Sequence, residues 1–386
     1  MQRSHNRILT THVGSLPRPP ALRDLLIRYE RGENIDRAEF QQHIEAAVRR
    51  AVVQQLEVGI DIGNNGEQPR VGFQTYVASR MQGFGGASAR PTSMDVRAFP
   101  DYGAMLRARR SQTTKIDNAP QALAEVRYTD LSEAAQECDL FQHCLAEQSQ
   151  SFVEPFMTAA SPGIIATTLL NAYYDSYEHY VMALARQMQR EYEFIHSRGL
   201  TLQLDCPDLA MERTRYFQND SLERFQAIVA LHIDALNLAI ANIPPEHIRL
   251  HVCWGNYDGP HVHDVPLEAI LPLLYQAKVG ALSIELANPR HQHEYKVFKR
   301  YPLPEPMLFM PGVIDSTTNY VEHPEVVADR ICQAVEAIGD RSRVIASTDC
   351  GFGTFAGSEM VAESVVWVKL GALREGADLA TRRLWG

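Results

Sequence analysis

The feature that most limits the fold of this chain is an alternation. Eight short apolar runs recur, and each stops at polar or small residues: "ILTTHVGS" (8–15), "VGIDIGNNGE" (58–67), "EPFMTAASP" (154–162), "LTLQLDCPD" (200–208), "IRLHVCWGN" (248–256), "ALSIELANP" (281–289), "MLFMPGVIDS" (307–316) and "VIASTDCGFG" (344–353). Between them lie stretches such as "RAEFQQHIEAAVRRAVVQQLEV" and "LERFQAIVALHIDALNLAIA". Their apolar residues return at three- and four-residue steps, as on one face of a helix. Strand, helix and strand in repetition give a parallel sheet, and so many repeats favour closure. The expectation is an α/β fold, a TIM-type (β/α)8 barrel, with residues 1–386 as a single catalytic unit. An open doubly wound sheet is the alternative, weakened because no GxGxxG opens a helix after a strand.

The rhythm breaks once. Residues 83–151 begin "GFGGASARPTSMDVRAFPDYGAM" and end in the helix-like "LSEAAQECDLFQHCLAEQ". This interval reads as an elaborated loop or small subdomain laid over the barrel mouth after the second strand.

Composition narrows the function. A net charge of −10 argues against nucleic acid as a partner, since phosphate binding wants a basic face. No run approaches the roughly 20 apolar residues a membrane helix needs, and "MQRSHNRILTTHVGS" lacks the apolar core of a signal peptide. Six cysteines scattered through the chain do not make a disulfide framework, which points to a reducing, cytoplasmic setting.

In barrels of this kind the chemistry sits at the C-terminal ends of the strands. Side chains alternate along a strand, so His251 and Cys253 of "HVCWGN" look into one space. Alone, such a pair is more often packing than ligation. The neighbouring strand ends add Glu285, a carboxylate inside the apolar "LSIELA", and Cys350 in "STDCGFG". A carboxylate so placed is costly unless paired or ligated. His251, Cys253, Glu285 and Cys350 together offer the N, S and O donors of a tetrahedral zinc site; packed core side chains remain the alternative at this point.

The order "THVGSLPRP", "GNNGEQPR", "LDCPDLA", "HVCWGN", "LSIELAN", "PGVIDS", "TDCGFGTFAG" resembles the C-terminal catalytic barrel of cobalamin-independent methionine synthase over nearly the whole chain. The resemblance implies Zn2+ on His251, Cys253, Glu285 and Cys350, and transfer of a methyl group from 5-methyltetrahydrofolate to homocysteine. It also implies that Ser15 contacts the carboxylate of the amino-acid thiol, and that Glu67 and Asp205 hold its ammonium group. Glu285 and Asp205 are the residues expected to take part in catalysis.

Two departures stand out. Met211 follows "LDCPDLA" roughly where the family has a glutamate for folate, and "PGVIDSTTN" offers Ser316 and Thr317 where the family has a histidine for the leaving amine. Phrases such as "MTAASPGII" and "VCWGNYDGPHVHDVP" are similar to a single-barrel branch that includes epoxyalkane:coenzyme M transferases, in which a zinc-activated thiol opens an epoxide. An anionic thiol would need a basic partner, and Arg18, Arg70 and Arg290 lie in strand-end loops.

The expected partners are therefore a small-molecule thiol and an alkyl donor, with neither nucleic acid nor membrane; a homo-oligomer is compatible with the sequence. The tracts "HVHDVP" (His261, His263, Asp264) and "RHQHE" (Arg290 to Glu294) read as solvated loops, and Cys206 as a structural thiol. Should methylfolate be the donor after all, His12 or His263 is left to supply the proton.

Overall fold

The computed structural model describes residues 1–109 and 119–386. Its strands are β1 (Leu9–Thr10), β2 (Ile62–Gly63), β3 (Met81–Gly85), β4 (Gln121–Tyr128), β5 (Glu154–Ala160), β6 (Thr201–Asp205), β7 (Ile248–Val252), β8 (Ala281–Glu285), β9 (Leu308–Ile314) and β10 (Ile345–Thr348). Eight of them form one parallel sheet in the order β1-β10-β9-β8-β7-β6-β5-β2. A parallel bridge between Thr11 and Ile62 joins the two ends, supported by the Thr11 hydroxyl donating to the Ile62 carbonyl at 2.9 Å. The sheet is thus drawn into a barrel, with helices between its strands. This is the TIM-type architecture expected from the alternation.

β1 and β2 are shorter than their apolar runs. Side chains take over the pairing there: the Thr10 amide donates to Asp61 Oδ2 at 2.9 Å, and Arg7 makes two bonds of 2.7 Å to the same carboxylate. A carboxylate that accepts from the strand interrupts the ladder that backbone carbonyls would otherwise extend.

Leu9, Ile62, Phe156, Ala281, Leu308, Met310 and Ile345 pack together, apart from the larger core between sheet and helices. They come from six of the barrel strands, as expected of side chains filling its interior. Arg249 enters this apolar layer, with its guanidinium 4.2 Å over the Phe156 ring and donating to Thr11 Oγ1 and the His12 carbonyl at 3.0 and 2.9 Å.

Within 83–151, β4 pairs antiparallel with β3, which begins just before that interval. Short helices follow at Met94–Ala98 and Pro100–Arg109, and residues 110–118 of the interval lie outside the described residues. Ties to the barrel loops hold this excursion down. Arg90 forms a buried ion pair with Glu212, and the buried Asp95 accepts from Tyr257 Oη at 3.3 Å and meets His263 Nδ1 at 2.5 Å. Among the described residues, no helix is long and apolar enough to cross a membrane.

Candidate metal centre and substrate pocket

Register brings the ligand candidates together. Asp205 on β6 pairs with His251 on β7, and His251 with Ser283 on β8, so inward side chains at this level share one end of the barrel. Cys253 lies just past β7, Glu285 ends β8, and Cys350 follows β10. All four residues are buried. Ligand atoms of His251, Cys253 and Cys350 lie within 4.8 Å of one another. Cys350 Sγ is 3.9 Å from His251 Nε2 and 3.8 Å from Glu285 Oε2. Zinc bonds of about 2.0–2.3 Å in a tetrahedron set ligand atoms roughly 3.3–3.8 Å apart; the two contacts of Cys350 are close to that spacing, and His251, Cys253 and Cys350 would draw in slightly around such an ion.

The electrostatics agree with the geometry. Burial pushes His251 down to about 4, which leaves a neutral imidazole with a lone pair to give. Burial, and then the nearby Cys253, pushes Glu285 up to about 7. A carboxyl group and two thiols held this close without a cation repel one another as they ionise; a cation in their midst would reverse that.

Asp349 builds this corner without joining it. Its carboxylate accepts from the amides of Leu286, Ala287 and Asn288 at 2.9, 2.8 and 2.7 Å, which fixes the loop after β8 against the loop that carries Cys350. Any carboxylate sits easily on consecutive amides. The sequence signal was available: an Asp directly before the cysteine.

Above the ligands is a cavity of about 490 Å³. Ser15, Glu67, Asp205, His251, Cys253 and Cys350 line it, together with the larger apolar side chains of Phe73, Val96, Leu106, Met211, Tyr257 and Phe355. Glu67 is fully buried at a positive φ of 53°, a conformation few non-glycine residues adopt. It is held there by Asn65 Oδ1, which accepts from its amide at 2.9 Å. One carboxylate oxygen accepts from the Thr158 hydroxyl at 2.8 Å and the other has no partner among the described residues. Burial pushes Glu67 up; burial, and then Glu67 itself, pushes Asp205 up to about 7. Two carboxyl groups raised chiefly by burial make a receptor for a cation. Ser15 meets the glycine after Cys350 so closely that a Cβ on Gly351 would lie 2.0 Å from the Ser15 hydroxyl.

Three expectations need correcting. Arg18 and Arg70 do not line the cavity. Arg18 donates to the carbonyls of Gly353 and Glu67. Arg70 donates to Glu137 at 3.1 Å and to Thr158 at 3.0 Å. Both guanidiniums are spent on holding strand-end loops, not on an anionic substrate. The tract containing His261, Asp264, His291 and Glu294 is no set of solvated loops either: these side chains are buried against one another. Cys206 is buried with its Sγ 3.6 Å from the Leu204 carbonyl, and burial pushes its thiol well up.

The two departures are also visible. Met211 lines the cavity. Ser316 donates to Asn256 Oδ1 at 3.0 Å, and Asn256 Nδ2 donates to the Gly351 carbonyl at 2.7 Å and to Thr354 at 2.6 Å. Thr317 donates to Asp315. This is a neutral hydrogen-bonded clasp. Of the alternative proton donors, His12 is tied to Gln55 at 2.7 Å and pushed down to about 4 by burial, and His263 is tied to Asp95. Neither lines the cavity.

Residues 8–102 match the family described as cobalamin-independent synthase, catalytic domain. The chain is similar to the cobalamin-independent methionine synthases. A methionine synthase of Sulfolobus acidocaldarius is 25% identical over 345 residues, covering 89% of this chain and 85% of the relative. A 2-hydroxypropyl-CoM lyase of Xanthobacter autotrophicus is 27% identical over 177 residues, 39% of this chain and 45% of that protein. The B12-independent methionine synthase of Shewanella sp. W3-18-1, solved with selenomethionine, superposes with a TM-score of 0.73 at 20% identity over 98% of this chain and 99% of that one. At that identity the superposition speaks for the fold.

Proposed function

We propose that the protein is a zinc-dependent thiol S-alkyltransferase of the methionine-synthase type, acting on an amino-acid thiol. The observation that carries this reading is that His251, Cys253 and Cys350, with Glu285 3.8 Å from the Cys350 sulfur, come together at a cavity that Glu67 and Asp205 also line. Zinc held by those four residues would keep a substrate thiol as the reactive thiolate at neutral pH. The chain's own residues do the rest. Glu67 and Asp205 bind an ammonium group, Ser15 stands across the floor to orient a carboxylate, and the apolar wall keeps water from the alkyl donor. Glu285 would hold the metal with the other three in the absence of substrate, and a catalytic site of this kind keeps one position that a substrate can take.

The acceptor follows from charge. Homocysteine, which carries an ammonium group, is expected to bind by calorimetric titration, and Glu67→Gln to weaken it about tenfold to a hundredfold, the worth of a charged hydrogen bond. Tight binding of coenzyme M with none of homocysteine would refute an amino-acid pocket.

A second reading, thiolate opening of an epoxide, is favoured by Met211 and the Ser316–Asn256 clasp. Protonating a leaving amine such as N5 of methylfolate needs an acid at the reaction centre, and a serine bonded to an asparagine is none. Little turnover is expected with 5-methyltetrahydrofolate and more with a donor that has a better leaving group or a strained ring. A donor screen with homocysteine and coenzyme M, read as the thioether by mass spectrometry, checks this; robust turnover with the methylfolate contradicts it. Binding of thiol with no donor consumed would favour a thiol- or amino-acid-binding protein instead.

A further inference from the structure

Beside the ligand cluster is a second buried group that the chemistry above leaves unused. Three of its members, His261, Asp264 and His291, bring ligand atoms within 4.8 Å of one another, which suggests another metal. The hydrogen bonding argues otherwise. His261 Nδ1 meets Asp264 Oδ2 at 2.6 Å and its Nε2 meets the Tyr257 carbonyl at 3.1 Å. His291 Nδ1 meets Glu294 Oε2 at 2.8 Å and its Nε2 meets Asp264 Oδ2 at 3.0 Å. Every ring nitrogen faces an acceptor, so each ring donates twice and keeps no lone pair for a metal.

What the cluster does touch is Trp254. The His291 ring stacks on the buried indole with centroids 3.8 Å apart and planes 16° from parallel, a cation lying against an aromatic face. The indole N–H donates to the Val265 carbonyl at 2.6 Å, and Glu294 Oε1 accepts from the Leu267 amide at 2.7 Å. Trp254 is thus clamped on its face and its edge. Its backbone N–H donates to Glu285 Oε2 at 3.2 Å, the same oxygen that lies 3.8 Å from Cys350 Sγ. The other oxygen of Glu285 accepts from Asn288 Nδ2 at 3.0 Å.

We propose that His291, pinned by Asp264 and Glu294, is a positioning residue that holds Trp254 so that its backbone N–H, with Asn288, forms a landing site for the Glu285 carboxylate when a thiol replaces it. This rests on the function proposed above. One oxygen of Glu285 sits between two destinations, the ligand cluster and the Trp254 amide, so the carboxylate changes partner by a small rotation and stays hydrogen-bonded. Loosening the clamp leaves the ligands in place and makes their exchange harder.

Cobalt-loaded protein titrated with homocysteine and followed by visible absorption tests it. Wild type is expected to bind cobalt with a thiolate charge-transfer band that changes as the thiol enters. His291→Gln, which keeps a hydrogen bond but no ring, should bind the same amount of cobalt and need about tenfold more homocysteine for the change, as loss of an outer partner costs. His291→Phe, which keeps the stack, should lie nearer to wild type. A His291→Gln titration that coincides with wild type overturns the proposal even if the phenylalanine variant does not fold. Wild type that takes up no cobalt, or whose spectrum ignores homocysteine, overturns the metal site itself and the proposal with it.

Discussion

Cys350→Ser or His251→Ala will cost the protein most of its zinc, and turnover will fall by more than the about 100-fold that losing a mere outer partner costs. Both side chains are buried with their donor atoms 3.9 Å apart, and a water in place of either would be a weaker ligand than the thiolate or imidazole it replaced. Removing one leaves three donors, one of them the carboxylate expected to exchange. Cys206→Ser is the control: its thiol is buried too but turned to the Leu204 carbonyl, and that variant should keep its zinc. Metal analysis of the purified variants decides the matter. Full zinc in both ligand variants would contradict the assignment.

A second large effect is expected away from the chemistry. Arg80 pairs with Glu137 at 2.7 Å and with Glu191 at 3.2 Å, all three side chains being buried, and Arg70 reaches Glu137 at 2.9 Å. The Tyr76 hydroxyl donates to Glu191 at 2.6 Å. This network fastens the helix Ser132–Ala146 to the barrel. Arg80→Ala leaves buried carboxylates short of a partner, and should destabilise the protein by about 3–5 kcal/mol. Burial alone would raise Glu137, but Arg70 and Arg80 outweigh it and hold its carboxyl down at about 2, against an ordinary 4.5. A lowered folded-state pKa contributes stability that is present above 4.5 and lost as pH falls toward 2. The gap between wild type and Arg80→Ala should therefore narrow on acidification through that window. Denaturant midpoints at neutral pH and again below 4.5 measure it, and an unchanged gap would show that the charge on Glu137 is not the source.

The barrel was legible because its signal is periodic, and His251, Cys253 and Cys350 could be placed near one another because each stands at a strand end. A buried parallel strand needs an unbroken apolar run, so a polar residue after it marks the rim. The arginines were not legible. Arg18 and Arg70 sit in strand-end loops as substrate ligands would, and the Gly353 and Glu67 carbonyls, Thr158 and the Glu137 side chain show where their donors go. Sequence proximity gives a residue's address and says nothing of its partners when these lie 49 to 335 positions away. The histidine tract was misread for the same reason. "HVHDVP" looks polar enough for solvent, yet His261 and Asp264 are buried because His291 and Glu294 arrive from the next strand's loop to complete the charges. The antiparallel pair β3–β4 was missed because its strands lack strict alternation and the excursion between them hides their pairing.

The central claim is that a substrate thiol joins His251, Cys253 and Cys350 on one zinc in place of Glu285. Zinc-edge X-ray absorption, with and without homocysteine, tests it most directly. Without thiol the account predicts about two sulfur neighbours at about 2.3 Å together with nitrogen or oxygen neighbours near 2.0 Å; with homocysteine it predicts about three sulfurs and one fewer light neighbour. A sulfur number that does not change when homocysteine is bound would contradict it.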